Sequence, residues 1–334
     1  MTEEKTDIAL VGVGYWGPNL VRNLISNPRS RLKYVIDRSA DRREFVGATF
    51  PGVEVAEDIA VALEDEGVKG VVIATPAGTH YQIAKECLGA GKHLLVEKPL
   101  ATSVEEVDEL AAAADERGLV LMSGHTFIYN GAVRYLRELI RAGDLGEIRY
   151  LYCQRLNLGR IRSDVDAWWN LGPHDVSIIQ YLLGDPDPVE VNRLGQAYVQ
   201  DGIEDVVFVT IRYPENVIAN IQVSWLDPHK VRKLTVVGSK KMAVYDDMSD
   251  NKIAIYDKGI DVKAEPGRAM DYDETATPSF AHRSGDIVLP KFSFEEPLKQ
   301  EIDHFLACIE GGTSCQTGPA HTRRVIDILS KADV

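Results

Sequence analysis

Val11-Gly12-Val13-Gly14-Tyr15-Trp16-Gly17 is the stretch that decides the fold. It is a Gly-x-Gly-x-x-Gly set between an apolar run, 7–11, and a helical pattern, 18–26. That context turns a common glycine spacing into a phosphate-binding turn. Gly12 makes the tight turn, Gly14 lets backbone N–H groups approach a pyrophosphate, and Gly17 lets the helix pack close to the strand. The helix N-terminus adds partial positive charge for the phosphates. Tyr15 and Trp16 lie inside the turn and are counted with the cofactor residues. Asp37 ends the next apolar run, 20 residues after Gly17. A carboxylate there accepts hydrogen bonds from both ribose hydroxyls of NAD and repels a 2′-phosphate, so NAD is expected over NADP. Arg38 follows and could stack on the adenine, or partly rescue NADP binding.

Outward from the turn, strand-like runs at 7–11, 32–37, 70–74, 93–97 and 120–122 alternate with helical patterns at 18–26, 40–49, 59–64, 81–90 and 103–117. A short run at 52–56 reads as one more strand. Such alternation predicts a doubly wound parallel sheet with helices on both faces. The pattern then changes. After a helix at 131–142 come longer strand-like runs at 147–155, 189–199, 206–213, 217–225 and 232–237, and a shorter one at 253–256. Turn signals at 213–216 and 237–239 give a meander spacing, which predicts a mostly antiparallel sheet. A helix at 174–183 interrupts it, and helices at 297–310 and 319–330 end the chain. The expected domains are therefore 1–123 and 124–334, with the helix at 297–310 free to return to the first.

The 334 residues carry 37 Lys+Arg against 51 Asp+Glu, a net charge of −14. Residues 1–122 hold 13 basic and 20 acidic side chains, −7, and the remainder holds the other −7. With no basic half and no Lys/Arg run, a nucleic-acid footprint is not expected. No signal peptide or long apolar stretch argues for a membrane. The four cysteines show no metal-ligand spacing and read as thiols of a cytoplasmic protein.

Two further segments carry chemistry. Thr75-Pro76-Ala77-Gly78-Thr79-His80 follows a strand at its carboxyl end, where open α/β sheets bind ligands. Thr75, Pro76 and His80 are expected near the cofactor. Glu97-Lys98-Pro99 closes a buried strand with two charges. Neighbours on a strand point to opposite faces, so a Glu97–Lys98 ion pair explains them poorly. Both are expected at the cofactor, and Pro99 could be cis.

The Gly-rich turn, Ala74-Thr75-Pro76 and Glu97-Lys98-Pro99 together resemble the Gfo/Idh/MocA oxidoreductases. The resemblance covers essentially the whole chain. It implies a Rossmann domain followed by an α+β domain with a large open-faced sheet. It also implies that Lys98 is the catalytic-site lysine and that the second domain carries the substrate pocket and an oligomer face. The family's Asp-x-Gly-x-His signature stands here as Asn170-Leu171-Gly172-Pro173-His174, with Asn in place of Asp. Such a variant resembles the nucleotide-sugar 3-dehydrogenase branch. Gly124-His125-Thr126-Phe127-Ile128-Tyr129-Asn130 departs from the family's Arg-containing loop; Tyr129 is counted with the substrate residues.

The chemistry follows from these residue types. A neutral histidine suits proton abstraction at neutral pH, which assigns His174 as general base. Lys98 suits stabilisation of a developing alkoxide or proton transfer. Asn170 positions a neighbouring hydroxyl or the lysine. The segment 154–163 concentrates Arg155, Arg160 and Arg162, with Asn157, just before Trp168 and Trp169. Arginine forks suit a diphosphate and an indole face suits a sugar or uracil, although adjacent tryptophans cannot both face one way. Arg283, in a late polar loop, completes the expected substrate set, and no metal site is expected.

The resulting expectation is NAD-dependent oxidation of a ring hydroxyl of a nucleotide sugar at carbon 3, feeding an aminotransferase partner. The enzyme is expected as a cytoplasmic homodimer or homotetramer. An inositol or free-sugar dehydrogenase, a 3-ketoreductase working in reverse, and a non-catalytic NAD(H)-binding regulator are the alternatives.

Overall fold

The computed structural model describes residues 5–264, 278–292 and 295–332. Residues 1–4 of the expected first domain, and 265–277, 293–294 and 333–334 of the second, lie outside the described residues.

The first unit is built on six strands: β1 (Thr6–Val11), β2 (Ser30–Ile36), β3 (Glu54–Ala56), β4 (Val68–Ile73), β5 (His93–Glu97) and β6 (Leu121–Gly124). They pair in parallel in the order β3-β2-β1-β4-β5-β6. The connecting helices are α1 (Gly17–Ser26), α2 (Ala40–Thr49), α3 (Ala60–Leu63), α4 (His80–Gly89) and α5 (Val104–Glu116). β1 and β4 are buried nearly end to end, as parallel strands covered on both faces must be. The order reverses between β1 and β4, so the turns after these strands flank the topological switch point where such sheets bind ligands.

The chain does not divide once at residue 123. The first unit comprises residues 5–130, 176–181 and 295–332. Of the later helices, α6 spans Gly131–Arg141, α7 Ala167–Leu183, α8 Pro297–Ile309 and α9 Pro319–Lys331. Leu298, Ile302, Phe305 and Leu306 of α8 recur at helical spacing and lie in one core cluster with Ile8, Leu10, Leu20 and Leu24. α8 is thus part of the first unit's core.

The second unit holds β7 (Ile148–Leu156), β8 (Glu190–Gln196), β9 (Val206–Arg212), β10 (Ile218–Ser224), β11 (Val231–Gly238), β12 (Met242–Asp246), β13 (Ile253–Ala264) and β14 (Pro278–Val288). Their order is β14-β13-β12-β11-β7-β10-β9-β8. All neighbours are antiparallel except β7 and β10. Along β9 and β10 buried residues alternate with less buried ones, the period of a sheet covered on one face. The other face exposes Tyr150, Tyr152, Phe208 and Ile218 among polar residues.

Two readings of this unit are corrected. β14 is a strand where a polar loop was expected, because its side chains are mostly exposed and carry no apolar alternation. α7 starts at Ala167, seven residues before the expected 174. Asp166 caps it, its Oδ1 accepting the Trp169 N–H at 2.8 Å. Arg193 in turn pairs with both Asp166 and Glu204. Pro173, which reads as a helix start, sits inside the helix instead.

Candidate functional site

In the first unit the glycine turn is held from both sides. Gly12 has φ +93°, and its N–H donates to Ile36 O at 2.8 Å. A Cβ on Gly12 would lie 2.8 Å from the Ala74 carbonyl, so the turns after β1 and β4 touch backbone to backbone. A Cβ on Gly17 would lie 2.9 Å from Gly12 O, which is the close helix packing that glycine permits. Gly14 differs: a Cβ there meets nothing within 4 Å. Its lack of a side chain serves no contact among the described residues and leaves room for a ligand. Asp37 Oδ2 accepts the Val13 N–H at 2.7 Å and Oδ1 the Ser39 N–H at 2.9 Å. This fixes the carboxylate beside the turn, with lone pairs left over for ribose hydroxyls. The cradle fits a dinucleotide. Tyr15 and Trp16 are exposed at its mouth, as is Arg38.

His80 joins two turns rather than facing a ligand. It is buried, with Nδ1 2.7 Å from Pro99 O and Nε2 2.8 Å from Thr75 O. Desolvation pulls its pKa below the usual range. Thr75 is half-buried and Pro76 exposed, and Thr79 Oγ1 donates to the Thr75 hydroxyl at 2.8 Å. The Lys98–Pro99 peptide is cis. Glu97 Oε2 accepts the Lys98 N–H at 3.2 Å, and Trp16 hydrogen-bonds the same carboxyl. Burial nevertheless pushes Glu97 up to about 7, against the opposing pull of Lys98.

Beside Glu97 lies a buried polar cluster that sequence reading missed. A Cβ on Gly124 would lie 3.1 Å from Glu97 Cα, so β6 runs close under the glutamate. Next along the chain, His125 is buried, and neither ring nitrogen has a hydrogen-bond partner among the described residues. Its ring stands edge-on to His321 at 5.4 Å, and His321 Nε2 is 2.8 Å from Ser177 Oγ. Desolvation, then His321 and Lys98, pull His125 well below the ordinary histidine range. Buried Glu301 accepts from Thr126 Oγ1 at 2.9 Å through Oε2, while its Oε1 has no partner among the described residues. Desolvation and the nearby Glu97 charge hold its carboxyl well above the usual range. Only the position of His125 in the family's departing loop signalled any of this. Tyr129 is also buried, its hydroxyl 3.3 Å from Thr317 Oγ1, so this loop residue packs in the core and presents no substrate face.

In the second unit Asn170 and His174 stand one turn apart on α7, both half-buried. At that spacing they share a helix face. Trp225, just after β10, donates its indole N–H to Asn170 Oδ1 at 3.2 Å. Trp225 backbone groups also bond Gly159 N–H at 3.0 Å and Asp205 O at 3.0 Å. Asn157 pairs with the Ser224 and Asp227 backbone, and its amide packs on Gly159. Arg160 is exposed and has no ion pair among the described residues, so it is available to an anion.

Three other expected substrate residues are otherwise engaged. Arg155 is buried in a bidentate pair with Asp175, so its fork is taken. Trp168 is fully buried, and a Cβ on Gly172 would lie 2.5 Å from its ring, which places it in the packing. Arg283 pairs with Asp257 at 3.1 Å and Asp261 at 2.5 Å on edge strand β14. Three strands separate β14 from β7, so it is not brought to the loop after β7. Arg162 pairs with Asp164 at 2.5 Å but remains exposed. No metal-ligand cluster and no membrane-length apolar helix occur among the described residues.

Comparison with known proteins matches these features. Residues 6–125 fit the family model described as "Oxidoreductase family, NAD-binding Rossmann fold", and residues 133–244 fit the GFO/IDH/MocA C-terminal domain. A UDP-N-acetylglucosamine 3-dehydrogenase of Acidithiobacillus ferrooxidans is 33% identical over 75% of this chain and 76% of its own. The crystal structure of that organism's enzyme superposes with TM-score 0.80, covering 98% of this chain and 97% of its own at 26% identity. GenD2 from gentamicin A biosynthesis, solved in complex with NAD, superposes with TM-score 0.81 at 25% identity, covering 100% and 94%. A scyllo-inositol 2-dehydrogenase (NADP(+)) of Bacillus subtilis is 30% identical over 56% of this chain and 55% of its own.

Proposed function

The chain belongs to the Gfo/Idh/MocA oxidoreductases and has their NAD-binding Rossmann domain, and on that premise we propose that it oxidises a ring secondary alcohol of a nucleotide sugar, at carbon 3 of a UDP-glucose or UDP-N-acetylglucosamine type. The likeness to a UDP-N-acetylglucosamine 3-dehydrogenase over three quarters of both chains carries this reading.

Gly12, Gly14 and Gly17 would hold the pyrophosphate, Asp37 the ribose, and Thr75, Pro76, Glu97 and Lys98 the remainder of the cofactor. NAD, when bound, supplies the acceptor for the hydride leaving carbon. The chain's own part is the proton and the charge. His174 takes the hydroxyl proton as general base, and Lys98 stabilises the developing alkoxide. Asn170 cannot hold a proton and acts by hydrogen bonding. Arg160 offers a free fork to the diphosphate of the substrate.

The keto product has the chemistry an aminotransferase would accept. The partly apolar face of the second sheet supports a homo-oligomer, and a cytoplasmic setting suits four free cysteines. The inositol dehydrogenase relative favours a second reading, oxidation of a free polyol.

The test is a screen of UDP-sugars against inositols for NADH formation, with a 2-oxoacid present to turn over tightly held cofactor. Saturation by a UDP-sugar supports the proposal, and saturation by a free polyol alone replaces it. His174→Ala is expected to lose about 10²–10⁴-fold in turnover while NAD binding is kept. Near wild-type turnover in the NAD-binding variant removes His174 as base.

A further inference from the structure

We propose that Cys308 and Cys315 form a peroxide-responsive dithiol, with Cys308 as the attacking thiolate and Cys315 as the resolving thiol.

The end of α8 makes the pair. Gly311, at φ +75°, closes the helix, its N–H donating to Cys308 O and the Gly312 N–H to Ala307 O, both at 3.0 Å. The chain then turns back along the helix, and the Gln316 N–H reaches His304 Nε2 at 3.1 Å. His304 lies four residues before Cys308, so the two share a helix face. Cys308 Sγ is 3.6 Å from the same nitrogen. The returning loop lays Cys315 against that face, where its thiol hydrogen-bonds Cys308. Two residues on, Thr317 O accepts the Ser123 N–H at 2.9 Å, which pins the loop to the end of β6.

The three side chains form a directed row. A backbone N–H can only donate, so His304 Nε2 carries a lone pair toward Gln316 and accepts from the Cys308 thiol as well. The Cys315 bond, then His304, lowers the Cys308 pKa, and the same bond between the sulfurs raises that of Cys315. One sulfur is set to lose its proton and the other to keep it. That is the division between an attacking and a resolving thiol. Cys308 is buried, while Cys315 is half-buried between exposed Ser314 and Gln316, which favours a small peroxide over a bulky disulfide as the oxidant. The sulfurs are already in contact, and Gly311 and Gly312 give the loop freedom to close the remaining gap.

The reaction balances in two steps. The Cys308 thiolate attacks one peroxide oxygen; an S–O bond forms and the O–O bond breaks. The departing hydroxide leaves as water with the proton that Cys308 gave up. Cys315 Sγ then attacks the Cys308 sulfenic acid; an S–S bond forms and the S–O bond breaks. The second hydroxide takes the Cys315 proton. The two sulfurs lose two electrons and the two peroxide oxygens gain them. Disulfides of this kind in a reducing compartment are transient and reversed by thiols.

The test uses the full-length enzyme, reduced, freed of reductant and exposed to hydrogen peroxide at pH 7. Both cysteines fall in one tryptic peptide, 300–323. After digestion without reductant that peptide should be lighter by two hydrogens, with Cys87 and Cys153 still open to alkylation after unfolding. Dithiothreitol should restore its mass. In Cys315→Ser, dimedone should trap a sulfenic acid at Cys308 at least 10-fold above the wild-type level. In Cys308→Ser, adduct formation at Cys315 should be at least 10-fold slower than that. A wild-type peptide that keeps its mass at peroxide levels sparing Cys87 and Cys153 overturns the proposal, and this measurement depends on no variant. Equal dimedone labelling in the two variants overturns the assignment of roles. Neither readout needs a substrate, so both stand apart from the sugar proposed above.

Discussion

Arg155 and Asp175 form a closed fork, Nε to Oδ2 at 2.8 Å and Nη2 to Oδ1 at 3.0 Å, with both side chains buried. They join the middle of the second sheet to α7 one residue after His174. Breaking a buried pair from one side leaves an uncompensated charge and costs about 3–5 kcal/mol. Asp175→Asn and Arg155→Met are each expected to lower stability by that order. The double replacement Arg155→Met/Asp175→Leu should recover much of the loss. Urea unfolding of the three variants measures both effects, and single variants within about 0.5 kcal/mol of wild type would contradict the pair's buried status.

Gly12 and Gly14 should behave oppositely. Gly12→Ala puts a Cβ against the Ala74 carbonyl and asks alanine to hold φ +93°. It is expected to destabilise the fold by about 1–3 kcal/mol. Gly14→Ala meets no atom of the described residues, so thermal stability without cofactor should stay within about 0.5 kcal/mol of wild type. NAD affinity should fall at least 10-fold. Calorimetry with and without NAD separates the two, and unchanged affinity in Gly14→Ala would remove the pyrophosphate from that turn.

Glu97 gives stability a pH dependence of defined sign. Its carboxyl is raised from 4.5 to about 7 by desolvation, so the folded state holds a proton that the unfolded chain releases. That contribution is full below pH 4.5 and is lost as pH rises through 7. Wild type should therefore lose stability between about pH 5 and 8 relative to Glu97→Gln, which carries no titrating proton. Glu301, raised in the same direction, adds to the trend. Melting curves of both proteins across this range check it, and parallel curves would show that Glu97 does not titrate there.

The cysteines should label in a set order. Cys308 hydrogen-bonds Cys315 and lies 3.6 Å from His304 Nε2, which lowers its pKa and favours the thiolate. Burial pushes Cys87 up to about 12 and Cys153 well above the usual range. Iodoacetamide at pH 7 followed by peptide mass spectrometry should find the 308/315 pair modified well before Cys87 and Cys153, because the thiolate is the nucleophile. Equal rates at all four would contradict these environments.

The first unit was legible because its signals are local. The glycine turn, Asp37 and the alternation of short strands and helices each depend on neighbouring residues, and each stands where expected. The membership of α8 in that unit was not legible, since nothing local says which of two cores an amphipathic helix joins. The start of α7 was hidden by Pro173, because the cap that decides it, Asp166, is held from β8 by Arg193. In the candidate site, residue type singled out Asn170 and His174, which the structure sets one turn apart on α7. Type could not show that Arg155 and Trp168 are buried, because arginine forks and indoles serve packing and ligands alike. Glu301 gave no signal and His125 only its place in the departing loop, since their meaning lies in desolvation.

The packing of α8 against β1 and α1 also sets an order of events during synthesis. Domains commonly fold as units from the N-terminus while the chain is still emerging. Here the sheet that begins at Thr6 lacks Leu298, Ile302, Phe305 and Leu306 until synthesis has passed through the whole second sheet. β1 and β2 must wait for α8, while the intervening sheet, β7 through β14, has all its strands beforehand. A nascent chain stopped before residue 297 would thus hold the glycine turn in sequence but not yet a complete core beneath it.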